Sequence, residues 1–238
     1  MLQSALRLIY PAQCVSCGDL TETDFALCGT CWRDTSFIGG LVCDACGSPL
    51  PGEDRGEQVL CDDCMMIARP WARGRAALVY EGTGRKLVLA LKHGDRTEIA
   101  RTVGPWMARA ATPLLREDSV LVPVPLHWTR LLQRRYNQAG LLVNRLSLLL
   151  ELSCCPDALV RRRRTTPLGG KSREDRFRHL SGTITPHPRR NAINGRPVLL
   201  VDDVMTSGAT LAAAAEAAHT AGATEVCVLL LARATKAP

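Results

Sequence analysis

The chain has 238 residues, enough for one or two domains of about 100–200 residues each. Apolar residues make up 46% and aromatic residues only 4%, so an aliphatic core is expected, as in parallel strands covered by helices. No apolar run of about 18 residues occurs, which excludes a transmembrane helix and membrane insertion through one, and the net charge of +7 suits polyanions, whether phosphorylated small molecules or nucleic acid.

The first ten residues carry a short apolar run before Pro11, too short for a signal peptide, so a cytoplasmic location is expected. Eight of the eleven cysteines then form four Cys-x-x-Cys pairs: Cys14/Cys17, Cys28/Cys31, Cys43/Cys46 and Cys61/Cys64. Such a turn aims both sulfurs at one point, and two of them make a tetrahedral thiolate site for zinc. Two structural four-cysteine sites are therefore expected. Zinc is favoured because repeated knuckles without histidine fit a closed all-thiolate site, and an iron–sulfur cluster is the main rival. Disulfides would need an oxidising compartment. The simplest pairing joins the first pair with the second and the third with the fourth, while nested or crossed pairings stay open. Residues 1–70 hold too few apolar residues for a core of their own. Metal would supply the missing stability, at about 10–16 kcal/mol per zinc in small zinc-finger peptides. Cys227 reads as core, and Cys154 and Cys155 as strand-end residues.

From residue 71 the pattern changes, and a second domain is expected over 71–238. Residues 76–80 read as a strand and 85–92 as a helix, broken by His93-Gly94-Asp95. A helix over 97–115, bent at Pro105, precedes a buried strand over 120–125 and a long helix over 137–152. Residues 161–190 are long and basic, contain Gly169-Gly170 and show no regular pattern; loops of that length are functional lids or disordered segments. A strand over 197–204, a helix over 207–221 and a strand over 225–232 close the chain. Strands alternating with helices predict an α/β fold with a parallel sheet and right-handed crossovers.

The run Val198-Leu199-Leu200-Val201-Asp202-Asp203-Val204-Met205-Thr206-Ser207-Gly208-Ala209-Thr210 carries the most chemistry. Its acids fall at the carboxyl end of a strand, where ligands bind in open α/β sheets. Burying two adjacent carboxylates is costly without a ligand, a metal or a hydrogen-bonding partner. Its small-residue loop offers N–H groups and hydroxyls and opens a helix, whose N-terminus favours an anion. A sugar phosphate with a free diol meets both demands. A turn capped by Asp and Thr, with solvated acids, is the plainer alternative. Lys92 could reach phosphate or simply favour a helix end. None of the five histidines stands out as a general base.

The acid–acid–loop unit resembles the phosphoribosyl pyrophosphate (PRPP) motif of the type I phosphoribosyltransferases. The resemblance implies that Asp202 and Asp203 hold the ribose hydroxyls and that Thr206, Ser207, Gly208, Ala209 and Thr210 cradle the 5′-phosphate. Three further segments extend the likeness: Ile9-Tyr10-Pro11-Ala12-Gln13-Cys14, Leu91-Lys92-His93-Gly94-Asp95, and Val122-Pro123-Val124-Pro125-Leu126-His127 running on to Arg134-Arg135-Tyr136-Asn137-Gln138. With the cysteine pairs they resemble the ComF family of competence-associated, phosphoribosyltransferase-like proteins.

That likeness implies a type I phosphoribosyltransferase-like sheet behind a double zinc ribbon, Mg²⁺ bound with PRPP, and a loop over 161–190 that closes on it. It places Arg134, Arg135, Asn137 and Gln138 on the pyrophosphate side. It also implies a part in DNA uptake, with single-stranded DNA or DNA-uptake proteins as partners. Three roles follow: transfer of ribose from PRPP to a nitrogen acceptor with loss of pyrophosphate, PRPP sensing without turnover, or DNA handling. A glutaminase domain with an N-terminal cysteine nucleophile is not expected, because Leu2 follows Met1 and the first cysteines belong to the knuckles.

Overall fold

A computed structural model describes residues 10–163 and 173–235. The N-terminal apolar run before Tyr10 and the Gly169-Gly170 centre of the basic stretch lie outside the described residues. In chain order the elements are α1 (Gly29–Arg33), α2 (Asp62–Met66), β1 (Arg73–Val79), α3 (Gly82–His93), α4 (Ile99–Ala111), β2 (Val120–Pro123), α5 (Trp128–Arg134), α6 (Gln138–Leu150), β3 (Leu159–Arg161), α7 (Arg173–Leu180), β4 (Ile184–Pro186), β5 (Pro197–Met205), α8 (Ala209–Thr220) and β6 (Glu225–Arg233).

Four strands form a parallel sheet in the order β1–β6–β5–β2, with Val122 beside Leu200 and Asp202 beside Leu230. β6 lies inside the sheet and is buried throughout after Glu225. Its unbroken aliphatic run is what burial on both faces demands. On one face Leu87, Val88 and Leu91 of α3, Val103 and Met107 of α4, and Leu142 and Leu146 of α6 pack on Leu199, Val201, Leu229 and Leu231. On the other, Leu211, Ala214 and Ala215 of α8 meet Val198, Leu200, Val228 and Leu230, joined by Leu159 and Ile184 of the antiparallel pair β3–β4. Each fully buried leucine contributes about 1.5–3 kcal/mol.

The cysteine-rich segment borrows this core. Cys43, Cys46, Cys64 and Trp71 belong to the same cluster as α8. A Cβ on Gly74 would stand 2.5 Å from the Ala45 carbonyl oxygen, and one on Gly47 2.7 Å from the Ala76 nitrogen, so glycine lets the knuckle lie against β1. Residues 36–38 pair antiparallel with the free side of β1: Ile38 N–H donates to Ala77 O at 3.0 Å and Val79 N–H to Ser36 O at 2.9 Å. At the opposite edge, Leu121 N–H donates to Ser153 O and Cys155 N–H to Leu121 O, both at 2.9 Å, which sets Cys154 and Cys155 alongside β2.

Three differences from the sequence reading have physical causes. The expected helix over 97–115 is α4 followed by a 3-10 turn at Thr112–Leu114, with proline at its second position. α5 buries none of its residues, so it has no apolar stripe to detect. The stretch expected to lack regular structure begins at the last residue of β3 and contains α7 and β4; a three-residue strand is too short to show a period.

Candidate functional site

β5 continues through Met205, so Asp202 and Asp203 lie within its last turns of pleat rather than beyond its end. Successive strand residues face opposite ways. Asp203 follows Leu199 and Val201 to the α3 side, where it is 7% exposed and Lys92 Nζ lies 2.9 Å from its Oδ1. Asp202 turns to the α8 side, and its Oδ1 accepts the Asp203 backbone N–H at 2.8 Å. Burial, then the neighbouring Asp203 charge, push the Asp202 carboxyl up to about 7, against the pull of Lys92 and Arg161. Arg161, 8% exposed at the end of β3, is held below the usual arginine range by burial and by Arg130, with Asp202 opposing. Sequence reading placed Arg161 at the start of a long basic loop and did not single out Arg130. Their signal is spatial, because β3 brings Arg161 to Asp202 and α5 brings Arg130 to Arg161 from distant parts of the chain.

Beyond β5 the residues Thr206 to Thr210 fold as a cradle. With Asp202, Val204, Met205, Leu211 and Leu180 of α7 they line a cavity of about 270 Å³. Gly208 has φ +84° and is the N-cap of α8. A Cβ there would lie 2.7 Å from Met205 Cε and 2.8 Å from Arg69 Nη1, so glycine is required for conformation and for space. The α8 N-terminus opens on this cavity and favours an anion in it.

The residues after β2 are disposed differently. Asn137 caps α6: its Oδ1 accepts Ala139 N–H at 3.1 Å, and its Nδ2 donates to Val124 O at 3.1 Å. Arg135 adopts φ +66°, is exposed and pairs with Asp95 at 3.7 Å. Gln138 is 1% exposed, and its Nε2 has no hydrogen-bond partner. Arg134 is half-buried at the end of α5. Tyr136 donates to Leu91 O at 2.9 Å, tying this segment to the end of α3. Lys92 thus joins the acids, while the four residues over 134–138 form a separate group.

The cysteines resolve into two clusters, Cys14/Cys17/Cys28/Cys31 and Cys43/Cys46/Cys61/Cys64, with the sulfurs of each within 4.8 Å of one another. This is the sequential pairing. The Cys17–Cys28 and Cys46–Cys61 sulfurs stand 3.6 and 3.7 Å apart. A tetrahedron with Zn–S bonds of about 2.3 Å has edges of about 3.8 Å, so both clusters fit zinc. Burial would raise Cys14, but N–H donors of Cys17, Cys28 and Ser16 bring it down to about 6, towards the thiolate a metal needs.

A second cavity, about 540 Å³, lies between residues 37–42, β1 and α4. Trp32, Phe37 and Trp106 converge on it with ring centroids 4.8 to 6.0 Å apart, and Arg75 and Arg109 complete its wall. Trp32 is 51% exposed.

Among the described residues no helix is long and apolar enough to cross a membrane. Residues 5–65 match the model of the double zinc ribbon domain and residues 139–238 that of the phosphoribosyl transferase domain. β1 and β2 fall outside the second match yet belong to the same sheet. The chain is 30% identical to the DNA utilization protein YhgH of Escherichia coli (strain K12) over 233 residues, covering 95% of this chain and 99% of that one. It is 28% identical to competence protein F of Haemophilus influenzae over 228 residues, 93% and 97% of the two chains. Against competence protein ComFC of Bacillus subtilis the figures are 25% over 202 residues, 81% and 77%. Two four-cysteine clusters, a phosphoribosyltransferase sheet and near end-to-end likeness to these proteins together mean that the chain belongs to the ComF family.

Proposed function

We propose that the chain binds PRPP with Mg²⁺ at the carboxyl edge of β5 and that this binding serves DNA uptake or the handling of single-stranded DNA. The observation that carries the reading is the cavity of about 270 Å³ shared by Asp202 and the first turn of α8. The 5′-phosphate rests on the N–H groups and hydroxyls of residues 206–210, and the α8 dipole favours its charge. Asp202 and Asp203 would receive the ribose hydroxyls or hold Mg²⁺, which would supply charge neutralisation for the pyrophosphate. Lys92 pairs with Asp203 and holds it in place. On the pyrophosphate side Arg134 and the unbonded amide of Gln138 are the readier donors, because Asn137 already spends both ends of its amide within the protein. The names of the Escherichia coli and Haemophilus influenzae relatives support the link to DNA.

The aromatic cavity favours a second reading, direct binding of single-stranded DNA. Bases stack on aromatic rings, and arginine meets phosphate. Arg109 is exposed beside the rings, and Arg75 and Arg73 together outweigh Asp44, which both contact.

Calorimetry tests both readings. Mg²⁺–PRPP should bind the zinc-loaded protein in the micromolar range and fail to bind Asp202→Asn/Asp203→Asn; no binding to the wild type sinks the first reading. A single-stranded oligonucleotide should lose affinity with salt at a log–log slope of about −0.7 per phosphate contact. Trp32→Ala should cost about 1–3 kcal/mol per stacked base. Affinity indifferent to Trp32 removes the second reading.

A further inference from the structure

Three consecutive carbonyls form the back of the cradle, and two guanidinium groups hold them. Arg233 Nη1 donates to Met205 O at 3.1 Å and Thr206 O at 3.0 Å, and also contacts Ala234 O. Arg69 Nη1 donates to Ser207 O at 2.8 Å. With these carbonyls turned towards the arginines, the orientation of the loop's peptide units is set from behind. Arg69 also stacks on Trp71, with 5.4 Å from its guanidinium carbon to the ring centroid. A Cβ on Gly208 would reach both side chains, at 2.8 and 3.3 Å, so the loop rests on them without a gap.

The same three side chains stand on the second cysteine cluster. Trp71 Nε1 donates to Ala45 O at 2.6 Å, inside the Cys43–Cys46 knuckle. Arg69 lies beside the Cys64 sulfur, and Arg233 lies within electrostatic reach of Cys46. Arg69 Nε and Nη2 and Arg233 Nε are buried without a hydrogen-bond partner, and among the described residues neither arginine pairs with a carboxylate. A buried guanidinium needs a counter-charge. Four thiolates around one divalent zinc carry a net charge of −2, which matches two arginines. Among the described residues the first cluster has no such connection. Its neighbours lie on the α4 side, where Thr102 donates to Phe25 O at 2.7 Å and Arg101 stacks on Phe25.

We propose that the Cys43/Cys46/Cys61/Cys64 site sets the shape of the anion cradle through Arg69 and Arg233, as positioning residues, while the first site does not. The coupling is reciprocal, as any linkage between two binding events must be. Metal at the second site orders the loop, and an anion in the cradle slows loss of that metal. The affinity side of this inference rests on the phosphate reading of the cradle; the ordering of the loop does not.

The experiment uses zinc-loaded full-length protein, Arg69→Gln, Arg69→Lys and Cys28→Ser. Amide hydrogen exchange is followed over residues 205–211, and cysteine alkylation under chelator is followed site by site, with and without Mg²⁺–PRPP. Arg69→Gln should speed exchange of the loop about tenfold or more, the size of one lost charge-assisted hydrogen bond. It should also hasten alkylation of the second cluster and not the first. Arg69→Lys, which keeps the charge and loses the fork, should restore cluster protection more than loop protection and stands in should Arg69→Gln not fold. Cys28→Ser should leave loop exchange unchanged. Wild-type exchange and alkylation in both Arg69 variants, or an equal loosening of the loop by Cys28→Ser, overturns the proposal. If PRPP neither binds nor protects, the phosphate reading falls, and the exchange and alkylation arms still decide the coupling.

Discussion

Asp202 is an acid in a place that disfavours its charge. Its carboxyl titrates at about 7 in the folded protein against about 3.8 when unfolded. The folded state therefore holds this proton more tightly. Stability from this group is fully present below the unfolded value and is lost as pH rises through 7. Asp202→Asn should raise Tm at pH 8 by a few degrees, at roughly 2–4 °C per kcal/mol for a chain of this size. It should also flatten the fall in Tm between pH 5 and 8 seen by scanning calorimetry. A drop in Tm at pH 8 would show that Arg161 and Lys92 already compensate the charge. The acid pair and the cradle loop were legible in the sequence because their chemistry is local, five residues opening one helix. The company they keep was not. Lys92 and Arg161 reach Asp203 and Asp202 from α3 and β3, and no spacing within one element records that.

Among the elements, α8 positions the site most directly. Its alanines at 212, 213, 214, 215, 217 and 218 are buried, so the helix lies close on β5 and β6 and presents its N-terminus at the sheet's edge. Ala215→Leu adds three carbons where there is no room and should cost about 1–3 kcal/mol in urea denaturation. Any lift of the helix would also carry residues 206–210 out of register with Asp202. The long helices and aliphatic strands were legible because their periods are sustained. α5, α7 and the pair β3–β4 were not. α5 buries nothing and the strands have three residues each, so tertiary neighbours rather than local pattern hold them.

Over the whole molecule, the cysteine-rich segment and the sheet share one core. Composition predicts too small a core for residues 1–70 alone, and it holds no sign of where a packing partner lies. The antiparallel contact of residues 36–38 with β1 bears on how the chain behaves when cut. A fragment over 71–238 would keep its sheet but leave Arg73–Val79 with a row of unpaired N–H and C=O groups. Bare edges of that kind recruit other chains. The fragment should elute from size exclusion as large assemblies, and a sharp monomer peak would show that the edge is tolerated. In the intact protein residues 36–38 thus shield the rest from self-association, and the order of synthesis suits that duty: the guard is made before the strand it covers.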